Sequence, residues 1–397
     1  MHSVLQPITR YCSIPLLCAG LLGLGGCGGS SSGSDDGETE RGSSDPGAQY
    51  ESASLDASVA TAYTYFNLDS GTVMALTDSE AAASTDWHIA FSRYNVILNG
   101  GDSGPGNVSG ALAAAQDDFY SSATEPNASV FLNATPDSEL EHLLASYDLD
   151  ALSFASDEKA SAIQASGALS GTQLDMGWYL YDFTTHVISL NADNWWLLRS
   201  AEGNSYGLFH ATALSYDSVN GLDVTFEFDV QPSGTVQFTS GASFSAHIPS
   251  AGGEACFDFD SDSSVDCATA NWDLKLEIAG RNWNLWTHSG ITANGNGGAF
   301  GPLATADADL YTSATTSPDG QDIRFLYSVD RSAGVFTDNS WYEYNLSGAH
   351  KLWPNYRVYM IDTDNTSDTA PVYALQITSY YSNAGASGFP NIRYRQQ

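Results

Sequence analysis

Residues 86–101 read DWHIAFSRYNVILNGG, and residues 271–286 read NWDLKLEIAGRNWNLW. Each stretch sets a Trp (Trp87, Trp272) behind a polar residue, alternates apolar positions (Ile89 and Phe91; Leu274 and Leu276), and breaks at a short polar turn. Apolar residues at every second position line one face of a strand, so both stretches read as half-buried β structure. A strand pattern written twice points to a repeated module.

The flanking landmarks recur in the same order. YTYFNLDSGTVMAL (63–76) precedes the first copy and TVQFTSGASFSAHI (235–248) the second, each a strand, turn and strand. Gly-rich runs follow, NGGDSGPGNVSGAL (99–112) and NGNGGAFGPL (294–303), neither with the Lys-Ser/Thr of a phosphate loop. WYLYDFTTHVISL (178–190) is matched by WYEYNLSGAHKLWP (341–354), with one residue more between Trp and His. The hairpin of 195–216, turning at Glu202-Gly203-Asn204, is matched by residues 356–381, and LDVTFEFDVQ (222–231) alternates strictly. Only residues 138–147, SELEHLLASY, have helical spacing, with Ser138 as the expected cap. The expected fold is all-β: two tandem antiparallel modules, 61–232 and 233–397, with few short helices.

Composition agrees. The chain has 397 residues, 42% of them hydrophobic and 12% aromatic, a balance that favours strands and rules out disorder. Thirteen Lys and Arg stand against 47 Asp and Glu, a formal net charge of −34, and such a surface repels nucleic acid.

The first 26 residues read as a lipoprotein signal peptide. Arg10 precedes the apolar SIPLLCAGLLGLGG, which is too short to span a bilayer and runs into Leu24-Gly25-Gly26-Cys27. That ending resembles a bacterial lipobox, with Cys27 the lipidated residue and firm attachment through several acyl chains. Gly28 in place of Asp favours the outer membrane, on the cell surface or the periplasmic face. Residues 27–60, rich in Gly, Ser and acid, read as a flexible tether, with order beginning near Tyr63. Of five cysteines only Cys256 and Cys267 remain for the folded part, and they read as a disulfide. The alternative or addition is calcium on Asp258, Asp260, Asp262 and Asp266, although an EF-hand's Gly and Glu are missing.

TDWHIAFSRYNVILNGGDSGPG, WYLYDFTTHVISL and WWLLRSAEGNSYGLFHATALSY together resemble the HmuY family of bacterial haem-binding lipoproteins. The Trp-x-Ile-Ala-Phe core and its Gly-rich successor carry the resemblance over about 170 residues, and more weakly over the second module. The resemblance implies an all-β fold, capture of haem for iron acquisition, delivery to a TonB-dependent outer-membrane receptor, attachment through the lipid anchor, and possible shedding from the cell.

Family members hold the iron between two axial side chains, commonly His. This implies His186 and His210 as axial ligands in the first module. His350, the repeat counterpart of His186, is the candidate in the second, where nothing matches His210; His288 and Met360 are the substitutes there. Two imidazoles fill both axial positions and leave none for oxygen chemistry. Each nomination has a structural alternative, an imidazole bonded to a turn carbonyl. His88 reads as a surface position because its counterpart is Asp273, Met176 as a core filler, and the nine Trp mostly as core.

Enzymatic function finds no support. There is no Gly-x-Ser-x-Gly elbow and no His-Glu-x-x-His, and paired carboxylates discriminate nothing on so acidic a chain. The competing reading is a lipid-anchored module that binds a glycan or a protein partner through aromatics and has lost haem ligation. Axial ligation needs His186 and His210 to converge on one point, whereas the competing reading does not.

Overall fold

A computed structural model describes residues 49–122 and 125–397. The signal peptide, the lipobox with Cys27 and the tether up to residue 48 lie outside the described residues. No described helix is long and apolar enough to cross a membrane.

The chain is built of antiparallel strands, and the principal ones fall into two runs of eleven. The first run is β1 (Glu51–Ser54), β2 (Thr64–Asn67), β3 (Thr72–Met74), β4 (Ile89–Ser92), β5 (Asn95–Leu98), β6 (Ser109–Ala114), β7 (Tyr179–Asp182), β8 (Ile188–Leu190), β9 (Asn194–Arg199), β10 (Tyr206–Asp217) and β11 (Gly221–Gln231). The second is β12 (Ser240–Ile248), β13 (Gly253–Asp258), β14 (Ser263–Val265), β15 (Leu274–Ala279), β16 (Asn282–Thr287), β17 (Gly298–Ala304), β18 (Tyr342–Tyr344), β19 (Leu352–Pro354), β20 (Val358–Asp362), β21 (Val372–Tyr381) and β22 (Ser387–Gln396).

The sheets do not follow these runs. One five-stranded sheet has the order β1-β22-β21-β20-β6 and the other β12-β11-β10-β9-β17. Adding eleven to each label, with β22 returning to β11, turns the first order into the second. The four-stranded sheets β3-β2-β4-β5 and β14-β13-β15-β16 obey the same rule. Hairpin β18-β19 corresponds to β7-β8, to which the short strands Leu169–Ser170 and Gln173–Asp175 are added.

The first six strands of each run therefore pair with the last five of the other. Contacts accordingly divide the described chain into a continuous unit, residues 160–331, and a split unit, residues 49–159 with 332–397. This corrects the expected division into modules 61–232 and 233–397: of its principal strands each compact unit takes six from one run and five from the other. The physical reason lies in the cores. In the split unit Phe66, Ile89, Phe91 and Leu98 pack with Trp341, Tyr359, Leu375, Ile377 and Tyr394. In the continuous unit Trp178, Trp196, Phe209, Phe226 and Phe228 pack with Phe244, Phe257, Leu274 and Leu276. Burying one such side chain contributes roughly 1.5–3 kcal/mol, against about 1 kcal/mol net for a ladder hydrogen bond, so the shared core decides the pairing.

Part of the expected tether is ordered strand. β1 pairs with β22 from Glu51↔Tyr394 to Ser54↔Asn391, and Leu55 and Ala57 behind it are each 1% exposed. Ala53, Leu55 and Ala57 alternate, and that period-two signal makes residues 51–57 sheet rather than tether. The helix near 138–147 is the single turn Leu140–Leu144, and Ser138 does not cap it: Ser138 and Thr135 hydrogen-bond each other instead.

Each unit is pinned by an equivalent buried carboxylate. Asp157 Oδ2 accepts from the Leu98 N–H at 2.9 Å and from Ser103 Oγ at 2.8 Å. Asp330 Oδ2 accepts from the Thr287 N–H at 2.9 Å, and its Oδ1 from the Ala162 N–H at 2.8 Å. Both thereby satisfy a donor at the end of equivalent strands, β5 and β16. Burial raises each carboxyl from 3.8 to about 6, outweighing those hydrogen bonds.

Two outcomes follow. A protease site placed in the β11–β12 connection, residues 232–239, will give fragments that co-elute under native conditions and separate only on unfolding. Consecutive independent modules would instead part on cleavage, so native chromatography of the cut chain distinguishes the two. The second concerns acidity. A carboxyl whose pKa is raised by folding binds a proton in the folded state that the unfolded chain still releases, so stability rises as pH falls from about 7 towards 4. Urea midpoints measured between pH 8 and pH 5 will climb with acidity, and Asp157→Asn will flatten the climb.

Candidate functional site

Hairpin β7-β8 grows out of the continuous unit's core. Trp178 and Tyr179 are buried, and Tyr181, Ile188 and Leu190 pack against the same cluster. Asp182 starts the turn. Its Oδ1 accepts from the N–H groups of Thr184 at 2.9 Å and Thr185 at 2.8 Å, and its Oδ2 from Thr172 Oγ1 at 2.7 Å. These bonds, the Thr172 hydroxyl's first, hold its carboxyl at about 2, ionised at any ordinary pH.

The turn delivers His186 in the left-handed region at φ 60°, uncommon for a non-glycine residue. His186 N–H donates to Asp182 O at 2.7 Å, and Tyr181 Oη lies 2.6 Å from His186 Nδ1. Nε2 meets no partner among the described residues. The ring is exposed between Phe183 and Val187, themselves 48% and 55% exposed.

Hairpin β18-β19 of the split unit repeats the device through different turn chemistry. Asn345 Oδ1 accepts from the His350 N–H at 2.8 Å, His350 has φ 54°, and Tyr344 Oη lies 2.7 Å from His350 Nδ1. A tyrosine on one ring nitrogen orients the imidazole and leaves the other nitrogen open, the arrangement by which ligating histidines are held. His350 has less apolar company than His186, with exposed Lys351 next in the chain.

His210 stands elsewhere. It lies on β10 opposite Trp195, the two rings stacked 3.5 Å apart and 10° from parallel. Its Nδ1 is 3.2 Å from the Ala192 carbonyl, again leaving Nε2 open. Its neighbours Phe209 and Ala211 face the core that β7-β8 covers, so His210 projects from the opposite face of the sheet, where Trp195 packs with Leu197 and Leu208. His186 and His210 thus share a unit on different elements: His186 sits in the β7-β8 turn, outside either strand, and His210 on the face of β10 turned away from the core that β7-β8 covers. Their bonds go to different partners, Tyr181 and the Ala192 carbonyl, and none joins the axial pair inferred from the resemblance.

At the position of His210 the split unit has Gln376. It is buried, donates to Tyr356 O at 2.7 Å and accepts from Arg393 Nε at 2.8 Å, so no imidazole can be accommodated there without dismantling that network. Met360, the soft substitute, is fully buried, and Met176 is 36% exposed.

Other nominated residues are structural. His288 Nδ1 lies 3.0 Å from the Trp272 carbonyl, and its counterpart Asn99 donates to the Trp87 carbonyl at 2.8 Å. Both are pegs round which the Gly-rich runs close: a Cβ on Gly104 would stand 2.2 Å from Asn99 Oδ1, and one on Gly295 would stand 2.5 Å from the His288 carbonyl. Those glycines are explained by close approach to a peg. His88 is not on the surface. It is 7% exposed, accepts from the Leu68 N–H at 3.1 Å through Nδ1, and burial lowers its pKa. Its counterpart Asp273 accepts from Phe259 and Ala201 N–H groups, and burial pushes its carboxyl up to about 7.

Cys256 and Cys267 are disulfide-bonded across 11 residues. Within and beside that loop, carboxylate oxygens of Asp258, Asp260 and Asp273 lie within 4.8 Å of one another. The group differs from the set expected for calcium, because Asp262 accepts from the Ser243 N–H and Asp266 from the Ala268 N–H. Asp258 likewise closes an Asx turn with Asp260 and Ser261.

Sequence reasoning missed Tyr181, Tyr344 and Trp195. A signal for the tyrosines existed: the second Tyr of each Trp-Tyr-x-Tyr precedes its His by five or six residues, the reach of one hairpin loop.

Comparison with known proteins gives a family match over part of the chain. The model for the HmuY protein family matches residues 60–228. No curated protein matches the chain. Solved structures that resemble it include a protein described as HmuY-like and haem-binding from Bacteroides vulgatus, at 11% identity and TM-score 0.30, covering 88% of this chain and 93% of that one. A protein described as a lipoprotein from Bacteroides fragilis has 11% identity and TM-score 0.30, with 88% and 90% covered. The apo HmuY analogue of Tannerella forsythia has 9% identity and TM-score 0.28, with 88% and 95% covered. At these TM-scores the superpositions assign no residue.

Tyr181→Phe will leave the fold intact and free the His186 ring. Long-range ¹H–¹⁵N spectra will report one fixed tautomer for His186 in the wild type and a mixture in the variant; an unchanged tautomer would mean that Tyr181 does not orient it.

Proposed function

We propose that this chain, which carries an HmuY-family region over residues 60–228, is a haem-binding lipoprotein of the outer membrane, anchored through Cys27, that captures haem for iron acquisition and passes it to a TonB-dependent receptor. The observation that carries the reading is the twice-built tyrosine–histidine hairpin, which holds an exposed imidazole by Nδ1 and leaves Nε2 open.

The residues present fit a porphyrin at His186. A neutral imidazole nitrogen suits the iron, and exposed Phe183 and Val187 offer apolar contact beside it. The iron, when bound, supplies the coordination bond. The chain's own part is to orient Nε2 through Tyr181, to fix the turn through Asp182, and to shield the macrocycle with apolar side chains. His210 does not complete an axial pair with His186 in this arrangement, so His186 is the sole protein ligand that the continuous unit offers on that side. In the split unit His350 keeps the same hold with exposed Lys351 next to it in place of the exposed Val187 that follows His186, so its affinity is the weaker.

A second reading rests on the divergence of His186 and His210: a lipid-anchored module that has kept the scaffold, lost haem ligation, and binds a glycan or protein partner through exposed aromatics.

Haemin titration followed in the Soret region separates the two. The haem reading expects one tight equivalent, a spectrum with a single protein axial ligand, at least tenfold weaker binding in His186→Ala, and little change in His210→Ala. Collapse in both variants would mean that the two histidines come together on binding. The absence of any spectral shift at micromolar haemin would leave the second reading.

A further inference from the structure

The split unit is assembled from two stretches of chain, 49–159 and 332–397, that have no direct covalent connection; the whole continuous unit lies between them in the sequence. The first stretch closes only a small cluster by itself, Trp87 with Tyr65, Ala81, Ala90 and Ile97, and the large core is shared with the second. β1 and β6 come from the first and β22, β21 and β20 from the second, and the sheet exists only when they interleave. Specific bonds fix the match: Tyr394 Oη to Glu51 at 2.9 Å, Tyr373 Oη to Asp69 at 2.8 Å, and Trp341 Nε1 to the Tyr94 carbonyl at 3.0 Å. Arg357 Nε adds a bond to the Ala115 carbonyl at 3.0 Å.

We infer that the 49–159 stretch is a docking surface for residues 332–397 of a second copy of this chain, so that two copies can complete each other's split units by reciprocal exchange. The occupant is specified by the fold itself. The same strands, in the register Glu51↔Tyr394 through Ser54↔Asn391 and Ser109↔Asp362 through Ala114↔Val358, would close the unit whichever copy supplies them. Exchange of an identical element between protomers forms no new kind of contact, so its enthalpy is close to neutral and concentration decides the outcome. Within one chain the connection is the continuous unit, whose ends are held together by the pairing of residues 158–160 with 331–333 and by the Ala162–Asp330 bond, so once that unit has folded closure on one chain wins in dilute solution. Exchange wins where copies are crowded while the split unit is still open, as during refolding at high concentration. In the exchanged pair each split unit holds a His350 delivered by the other copy.

The test uses the full chain carrying Ser54→Cys and Asn391→Cys, which replace directly opposed residues of β1 and β22. Equal amounts of ¹⁵N-labelled and unlabelled chain are unfolded together, refolded at increasing concentration, oxidised and digested. The expected result is a 54–391 linked peptide with one heavy and one light partner, rising from near zero in dilute refolding towards half of all linked peptide. Linked peptides of uniform isotope at every concentration would overturn the proposal. If the bond fails to form, light scattering on the wild type refolded over the same range decides: a dimer that persists on dilution supports exchange, and monomer throughout overturns it.

Discussion

The sharing of each core between distant stretches of chain governs this structure. A β-sheet hairpin alone is marginal in water, and three or more strands with an apolar face are needed for independent stability. Here the first six strands of either run supply a small four-stranded sheet and two sheet-edge strands, while the last five supply a hairpin and the three middle strands of the large sheet. The first set closes only a small cluster round its Trp, Trp87 or Trp272, and the large core needs both sets. The partner set is drawn from the other run in both units, and that choice fixes where Trp341, Tyr359 and Tyr394 must be buried.

Within that frame polar side chains do positional work in matched pairs. Asp157 and Asp330 terminate equivalent strands, Asn99 and His288 fill equivalent Gly-rich runs, and His88 and Asp273 accept equivalent backbone donors. Different side chains serve one geometry, because a backbone N–H requires an acceptor and is indifferent to whether imidazole or carboxylate supplies it. Asp157 and Asp330 keep both chemistry and geometry in the interior, and the tyrosine–histidine hairpins do so at an exposed ring with an open nitrogen. Preservation of an exposed, strained histidine is harder to explain by packing than preservation of a buried one.

Much of this was legible in the sequence. Alternation at Ile89 and Phe91 gave β4, Cys256 and Cys267 gave the disulfide, and the recurrence of Trp-Tyr-x-Tyr gave the two histidine turns. Which stretches pair was not legible, since two copies of one pattern fit each other as well as themselves; the selection lies in side-chain complementarity across β1–β22 and β6–β20. Nor was the outward face of His210, whose alternation partner Phe209 could be assigned to either side without knowledge of the neighbouring sheet. His88 was misread for a related reason: a charged counterpart suggested exposure, but Asp273 is itself buried.

The split unit also has an order in time. Residues 49–159 leave the ribosome before the rest of the described chain, yet they acquire their partner strands last, after the continuous unit has been made and residues 332–397 have followed. Throughout that interval β1 and β6 are open strand edges, the surfaces most prone to pairing with a wrong chain. The split unit therefore depends on synthesis running past β20, and a chain stopped between residue 331 and β20 would have one finished unit and one that can never close.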